Sequence, residues 1–341
     1  MATTELDEAL QRLHQTGPEF EGWLSNHGPM VAEAMVRRGH GARVHRWLDG
    51  YLTRLDEPPR GLTPVTADAW REALGDPKRT GDWREFFLRE VTEQAWPAVL
   101  ATWWPRLLPG LAASATHGVI RTGHAVQALR AGATPPRIAE LGHALAYWAA
   151  RWQPVPIAEP TGDREPGAAV DGLPRVARQE GGINARLDQL DAVPDWSSAL
   201  SQLRPAHGRS EIAVRLAGAV AAATLAYARY ERRGSIMLIH AATAPNAVLR
   251  TLPALPQQLW EPSLRAAWAA SAAIVAAYAE PQPSSPAPAD STDEAEVFTR
   301  AVEHGDEHVV KFADTAADVY LRDGDPDALG AVLWAVRTVP T

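Results

Sequence analysis

Ten of the eleven histidines fall into two sets along this chain, which has no cysteine. His14, His40, His45 and His207 lie beside charged or turn residues, as solvated imidazoles do, and His304 is flanked by Glu303 and Gly305. His27 (SNHGPMVAEAM), His117 and His124 (ATHGVIRTGHAV), His240 (IMLIHAATAPN) and His308 (DEHVVKF) sit instead inside apolar stretches. Solvated helix faces usually carry Lys and Glu. Several imidazoles pointing into an apolar core suggest a metal centre, because neutral imidazole is a common ligand for divalent metals. Without cysteine there is no thiolate to compete, and disulfides, thiolate catalysis and iron–sulfur clusters are excluded.

Spacing narrows what these residues can do. His117 and His124 are seven apart, two helical turns on about the same face, and so about 10 Å apart along the axis at ~1.5 Å per residue. Two rings so placed do not readily share one metal; either one is a ligand and the other faces substrate or supports the site, or both are core histidines hydrogen-bonded to carbonyls. His308 and Lys311, three apart, share a face with Val309, Val310 and Phe312 around them. A desolvated lysine has a depressed pKa. As a neutral amine it can add carbon dioxide and become a carbamate, an anionic oxygen ligand. The plainer alternative has Lys311 reaching water while its neighbours pack. His27, at the mouth of a helix capped by Ser25 or Asn26, could equally pack on Trp23, and His240 could be a core histidine. Pro245 is expected to break the His240 helix and free backbone groups for a site.

Thirteen tryptophans are many for 341 residues. WWPRLLPG (Trp103, Trp104, Arg106) and AYWAARW (Tyr147, Trp148, Trp152) flank the His117 segment, and His143 shares a helix with Tyr147. A flat aromatic pocket suits a polycyclic substrate, and an arginine could pair with its phenolate or carboxylate. Most of these rings are nonetheless expected to be core. No GxGxxG, GxxxxGK[ST], HExxH or GxSxG occurs, so nucleotide-fold and serine-hydrolase readings have no support. A net charge of −8 without a basic run argues against nucleic acid and anionic membrane as partners. No signal peptide and no transmembrane helix are expected, and a cytoplasmic location follows as the expectation.

The elements that must position these groups read as helix after helix. The spacing predicts helices from Thr4, as cap, to about Gln15; from HGPM to Gly39; and around Ala42–Leu55. Further helices are predicted over Asp82–Leu107, divided or kinked at Pro97, and over Ala112–Arg130 and Pro135–Trp152. Residues 153–180 turn to Pro, Gly, Asp and Glu and read as a long loop excursion. Helices resume at Trp196–Leu203, Ser210–Arg232, Ser235–Leu252 and Pro262–Tyr278; a Pro/Ser-rich linker over 281–293 precedes Glu294–Leu321 and Pro326–Val336. No period-2 alternation is convincing. The expected fold is all-α: a single large multi-helical domain over 1–341 around a central metal and substrate cavity.

Taken in order, SNHGPMVAEAM, WWPRLLPGLAASATHGVIRTGHAVQAL, ELGHALAYWAARW, IHAATAPNAVLR and GDEHVVKF resemble the questin oxidase-like family. They span about residues 20 to 320, nearly the whole chain. The resemblance implies a helical non-haem iron oxygenase that oxidises or ring-cleaves aromatic polyketides, notably anthraquinones, with dioxygen in a Baeyer–Villiger-type or dioxygenase-type reaction. It implies iron(II) held by His27 (HGPM), His117 (THG), His240 (IHAAT), His308 and a carboxylated Lys311 (HVVK). His124 and Arg121 are then candidate catalytic groups, and Trp103, Trp104 and Tyr147 candidate substrate contacts. The chain departs from the family in its 153–180 excursion and its Pro-rich linker.

On this reading four neutral imidazoles leave a divalent metal at full charge, and one carbamate lowers it to about +1 with a hard oxygen donor. Two other classes remain open: a zinc- or manganese-dependent hydrolase using metal-bound hydroxide, and a non-catalytic protein that retains an aromatic ligand. An external reductant such as NADPH is compatible with the oxygenase reading, although no motif supports it. The oligomeric state is not legible.

Overall fold

The structure, a computed structural model, describes residues 2–231, 235–284 and 291–340. Residues 285–290 of the expected linker lie outside the described residues. Seventeen α-helices, short 3-10 turns and one two-stranded antiparallel pairing, Glu19–Phe20 with Leu24–Ser25, account for the regular structure among them. The fold is all-α. The chain forms two compact helical units, Met1–Pro154 with Pro253–Pro256, and Val155–Leu252 with Gln257–Thr341.

In the first unit, helix Gly28–Arg37 packs on helices Ala2–Leu13 and His117–Ala131, and helix Pro135–Ala150 packs on Thr80–Glu93 and His117–Ala131. Local rules explain most of the ends. Pro29 sits in the first turn of its helix, and Gly39, at φ 82°, follows its C-terminus. Pro97 does divide the 82–107 stretch, into Thr80–Glu93 and Trp96–Leu107, and occupies the first turn of the second helix. Gly118 lies where a Cβ would meet the Cα of Trp148 at 2.8 Å, so the two helices approach through the missing side chain.

Two expectations for this unit are corrected. The first helix begins at Ala2, so Thr4 lies within it rather than capping it. The helix expected from Ala112 begins only at His117, because Ser114, Ala115 and Thr116 hold φ of 48°, 55° and 70°. Three consecutive left-handed residues that are not glycine are costly, roughly 1 kcal/mol or more apiece. Their effect is to turn the chain directly before His117.

In the second unit, the long helix Gly208–Tyr230 packs on Met237–Thr251, Trp260–Tyr278 and Asp327–Thr338. Among the described residues it is the one helix long and apolar enough to cross a bilayer, and 56% of its most apolar window is buried within the packed protein. The 153–180 excursion contains a helix, Pro166–Asp171, whose Ala169 and Val170 are buried as it packs on Gly208–Tyr230. The stretch expected as one helix from Glu294 to Leu321 is two, Glu294–His304 and Glu307–Asp323. Gly305 ends the first at φ 86°, and the Asp306 carboxylate caps the second by accepting from the His308 and Val309 N–H groups at 2.8 and 3.1 Å.

Pro245 does not break its helix. Met237–Thr251 runs through it. Proline removes the N–H that would bond to the carbonyl four residues earlier. That carbonyl, Ala241 O, accepts the Ser271 hydroxyl instead at 2.7 Å, so the freed backbone group is satisfied within the core.

Candidate metal centre

The first unit brings His27 and His117 together. Their Nε2 atoms are 2.7 Å apart with the rings edge to face, and both residues are buried. Each ring is set by its backbone. Asn26 holds the turn before His27: its Oδ1 accepts from the Gly28 N–H at 2.9 Å and its Nδ2 donates to the Gly17 carbonyl at 2.9 Å. The His27 N–H donates to the Tyr51 hydroxyl at 2.7 Å. His117 Nδ1 donates to the Ser114 carbonyl at 2.5 Å, the carbonyl that the left-handed turn aims back at the ring. A neutral His117 with its proton on Nδ1 therefore directs the Nε2 lone pair at His27. Two nitrogens so placed either share a proton or direct both lone pairs at one cation.

Tyr147 ties the two segments together. Its hydroxyl lies 2.8 Å from Ser25 Oγ and 2.6 Å from Ser114 Oγ and donates to Glu19 at 3.0 Å. Burial and then the Glu19 charge push the Tyr147 phenol well above its ordinary pKa, so it stays protonated. Glu19 is in turn paired with Arg151. The contacts of the Tyr147 hydroxyl thus join the His27 turn to the His117 turn.

The second unit brings His240, His308 and Lys311 together. The two rings lie 5.3 Å apart, edge to face, and His240 Nδ1 is 3.3 Å from the Met237 carbonyl. Burial, then the charges of Lys311 and His308, pushes His240 well below the ordinary histidine range; burial likewise lowers His308, against the pull of Asp306. Both are therefore neutral near pH 7, the form that binds metal. Lys311 is fully buried, and its Nζ has no hydrogen-bond partner among the described residues. Burial lowers its pKa to about 7 although Glu307 and Asp306 pull it back upward. The alternative in which Lys311 reaches water does not hold. Arg250 donates to Asp314 at 2.7 Å and to Asp318 Oδ2 at 2.5 Å, and Asn246 donates to Thr315 at 3.3 Å, which locks the His240 helix against the His308 helix.

His27 with His117, and His240 with His308, thus present buried ring nitrogens that could hold a metal ion. His124 is placed elsewhere: its Nδ1 donates to Glu33 Oε2 at 2.6 Å, also inside the core. Arg121, one turn after His117, is committed to Glu140 through Nε at 2.6 Å and Nη2 at 2.9 Å. Trp103 and Trp104 are buried on protein neighbours. Trp103 lies 4.8–5.7 Å from the rings of Trp70, Trp83, Phe86 and Phe87, and Trp104 packs on Trp148 at 5.3 Å. The Arg106 guanidinium stacks 4.6 Å over Trp103. Sequence reasoning missed Glu33, Ser114 and the Arg250–Asp314 pair. A lone Glu in MVAEAM and the two Asp of KFADTAAD, Asp314 and Asp318, were the available signals, carboxylates on otherwise apolar helix faces.

The Arg121–Glu140 pair carries a stability prediction. Burial raises the Glu140 pKa, but the charge and paired hydrogen bonds of Arg121, followed by His14, bring it down to about 2. Its folded value is thus below the ordinary 4.5. Its contribution is complete above the ordinary value and is lost as pH falls toward 2, at most about 3 kcal/mol. Glu140→Gln, which leaves Arg121 buried and uncompensated, is expected to cost about 3–5 kcal/mol at pH 7. Urea unfolding at several pH values should show this gap narrowing below pH 4.5; a gap independent of pH would refute the assignment.

No model of a known protein family matches the chain, and no characterised protein matches it.

Proposed function

We propose that the chain is an iron(II)-dependent oxygenase of the questin oxidase-like kind, acting on an aromatic polyketide, with His27, His117, His240, His308 and carboxylated Lys311 as its metal ligands. The observation that carries this reading is the pair of buried imidazoles in each unit, one with its tautomer set by the Ser114 carbonyl and the other held neutral by burial. The donor set also fits the group. Four imidazoles carry no charge, and the buried Lys311 amine, without a hydrogen-bond partner, lies beside two of them. A cation beside His240 and His308 opposes metal binding, whereas a carboxylate there supports it.

Conversion of one into the other balances simply. The neutral Lys311 nitrogen bonds to the carbon of carbon dioxide, one C=O electron pair moves onto oxygen, and the nitrogen releases a proton to solvent. The lysine becomes an anionic oxygen donor. Bound iron(II) would supply one-electron chemistry toward dioxygen and an electron-rich ring. The chain's own groups do the rest. Ser114 and Tyr147 hold the His27 and His117 segments, and Arg250 holds the His308 helix. His124, oriented by Glu33, is the candidate to hold or move a proton at Nε2, and Arg121 acts on the His117 helix through Glu140. The aromatic substrate, the cytoplasmic setting and any external reductant belong to the same proposal.

Purified protein reconstituted anaerobically with iron(II) and bicarbonate tests it. The expected result is about one equivalent of iron per chain, an added carboxyl mass on Lys311, and oxygen uptake with a hydroxyanthraquinone. Retention of less than about a tenth of an equivalent of any transition metal would sink the reading. Tight zinc binding with oxygen-independent hydrolysis would replace it with a metallohydrolase.

A further inference from the structure

The first unit contains a cavity of about 20 Å³ lined in part by Pro18, Thr80, Arg84, Arg121, His143 and Tyr147. An ordered water needs roughly 10–15 Å³ of such space, so there is room for one water or one halide ion and none for an organic substrate. The charges around it are mostly matched. Arg121 and His14 bind Glu140, Arg151 binds Glu19, Arg79 binds Asp82, and the Thr80 hydroxyl donates to the Pro77 carbonyl at 2.6 Å.

Arg84 is the exception. It makes no hydrogen bond or ion pair with any described residue, and its Nε is buried. Arg84 is half-buried, but its Nε is withdrawn from water without a partner, and one such unsatisfied group costs about 1–3 kcal/mol. Its charge is felt locally: His143, on the cavity wall, is held well below the ordinary histidine range, first by burial and then by the positive charges of His14, Arg121 and Arg84, which outweigh Glu140. The cavity therefore combines positive potential, a donor without an acceptor, and room for one small particle.

We propose that this cavity binds a single small monovalent anion of halide size, chloride by abundance, with Arg84 as its principal donor. Sulfate and phosphate are too large for the space, and a cation is repelled by the guanidinium. The anion neutralises Arg84 and joins helix Thr80–Glu93 to helices His117–Ala131 and Pro135–Ala150, both of which contribute to the wall. The site lies apart from the proposed metal ligands and does not depend on their chemistry.

Bromide is the probe. Crystals of the full chain grown or soaked in sodium bromide, measured at the bromine absorption edge, are expected to show one anomalous peak in this cavity within hydrogen-bonding distance of the Arg84 guanidinium. Arg84→Gln should lose that peak. It should also lose a melting-temperature rise that the native chain shows in sodium chloride over sodium gluconate at equal ionic strength. A cavity without anomalous signal at high bromide, or a peak that persists in Arg84→Gln, overturns the proposal. If the variant does not fold, the native crystal decides alone.

Discussion

Lys311→Met is expected to raise the melting temperature of the metal-free protein and, in the same variant, to abolish metal loading. Lys311 is fully buried, and burial lowers its pKa from the ordinary 10.5 to about 7. A base whose folded pKa is depressed imposes no cost where the amine is neutral in both states, above about pH 10.5. As pH falls from there to 7 the unfolded chain takes up the proton first, and stability is lost; below 7 the loss is complete and constant. At pH 7 it is on the order of 4 kcal/mol before relaxation of the site reduces it. Methionine nearly matches the volume without the charge. At roughly 2–4 °C per kcal/mol for a unit of this size, an increase of about 5–10 °C is expected, shrinking as pH approaches 10.5. Scanning calorimetry in chelator across that range checks it. Metal affinity should fall at least ~100-fold if Lys311 is the proposed anionic donor, because the variant cannot form it. A variant that melts lower than the native chain would show that Lys311 stabilises the fold through its ammonium, and the ligand assignment would fall with it.

The second large effect separates two histidines on one helix. His117→Gln is expected to reduce bound iron to less than about a tenth of an equivalent, whereas His124→Gln should keep about one equivalent and lose most turnover. The reason is directional. His117 presents Nε2 to His27 at 2.7 Å with Nδ1 held by Ser114, while His124 spends Nδ1 on Glu33 at 2.6 Å. Glutamine can still donate to Glu33, so His124→Gln keeps that buried carboxylate satisfied and reports on more than folding. Metal content by elemental analysis, beside oxygen uptake, reads both arms. Loss of iron from His124→Gln with retention in His117→Gln would reverse the assignment.

What could be read in the sequence was what acts within a turn or two of helix. Apolar periodicity gave the all-α class, and Pro29, Pro97 and Gly39 marked helix ends because their backbone limits operate at the residue itself. The apolar settings of His27, His117, His240 and His308 marked them as buried, and the three-residue step from His308 placed Lys311 beside it. Two of the misjudged helix segments show where that reach ends. The Ser114–Thr116 turn carries no glycine to announce it, and Pro245 is tolerated only because Ser271, 30 residues away, supplies a donor to Ala241.

Tertiary structure decided everything that depends on the direction of a side chain. His27 and His117 are 90 positions apart, and which of two histidines on one helix face meets His27 is set by the packing of helix Gly28–Arg37 on helix His117–Ala131. Lys311 bears the same four-carbon stem and ammonium on a surface or in a core; only the helices around it exclude water and bring its pKa near neutrality. Arg84 likewise looks ordinary in GDWREFF until its buried Nε is seen to have no acceptor among the described residues. Residue type and spacing thus named the groups capable of chemistry, while solvent exclusion and long-range pairing, which no local window contains, determined the protonation state and partner of each.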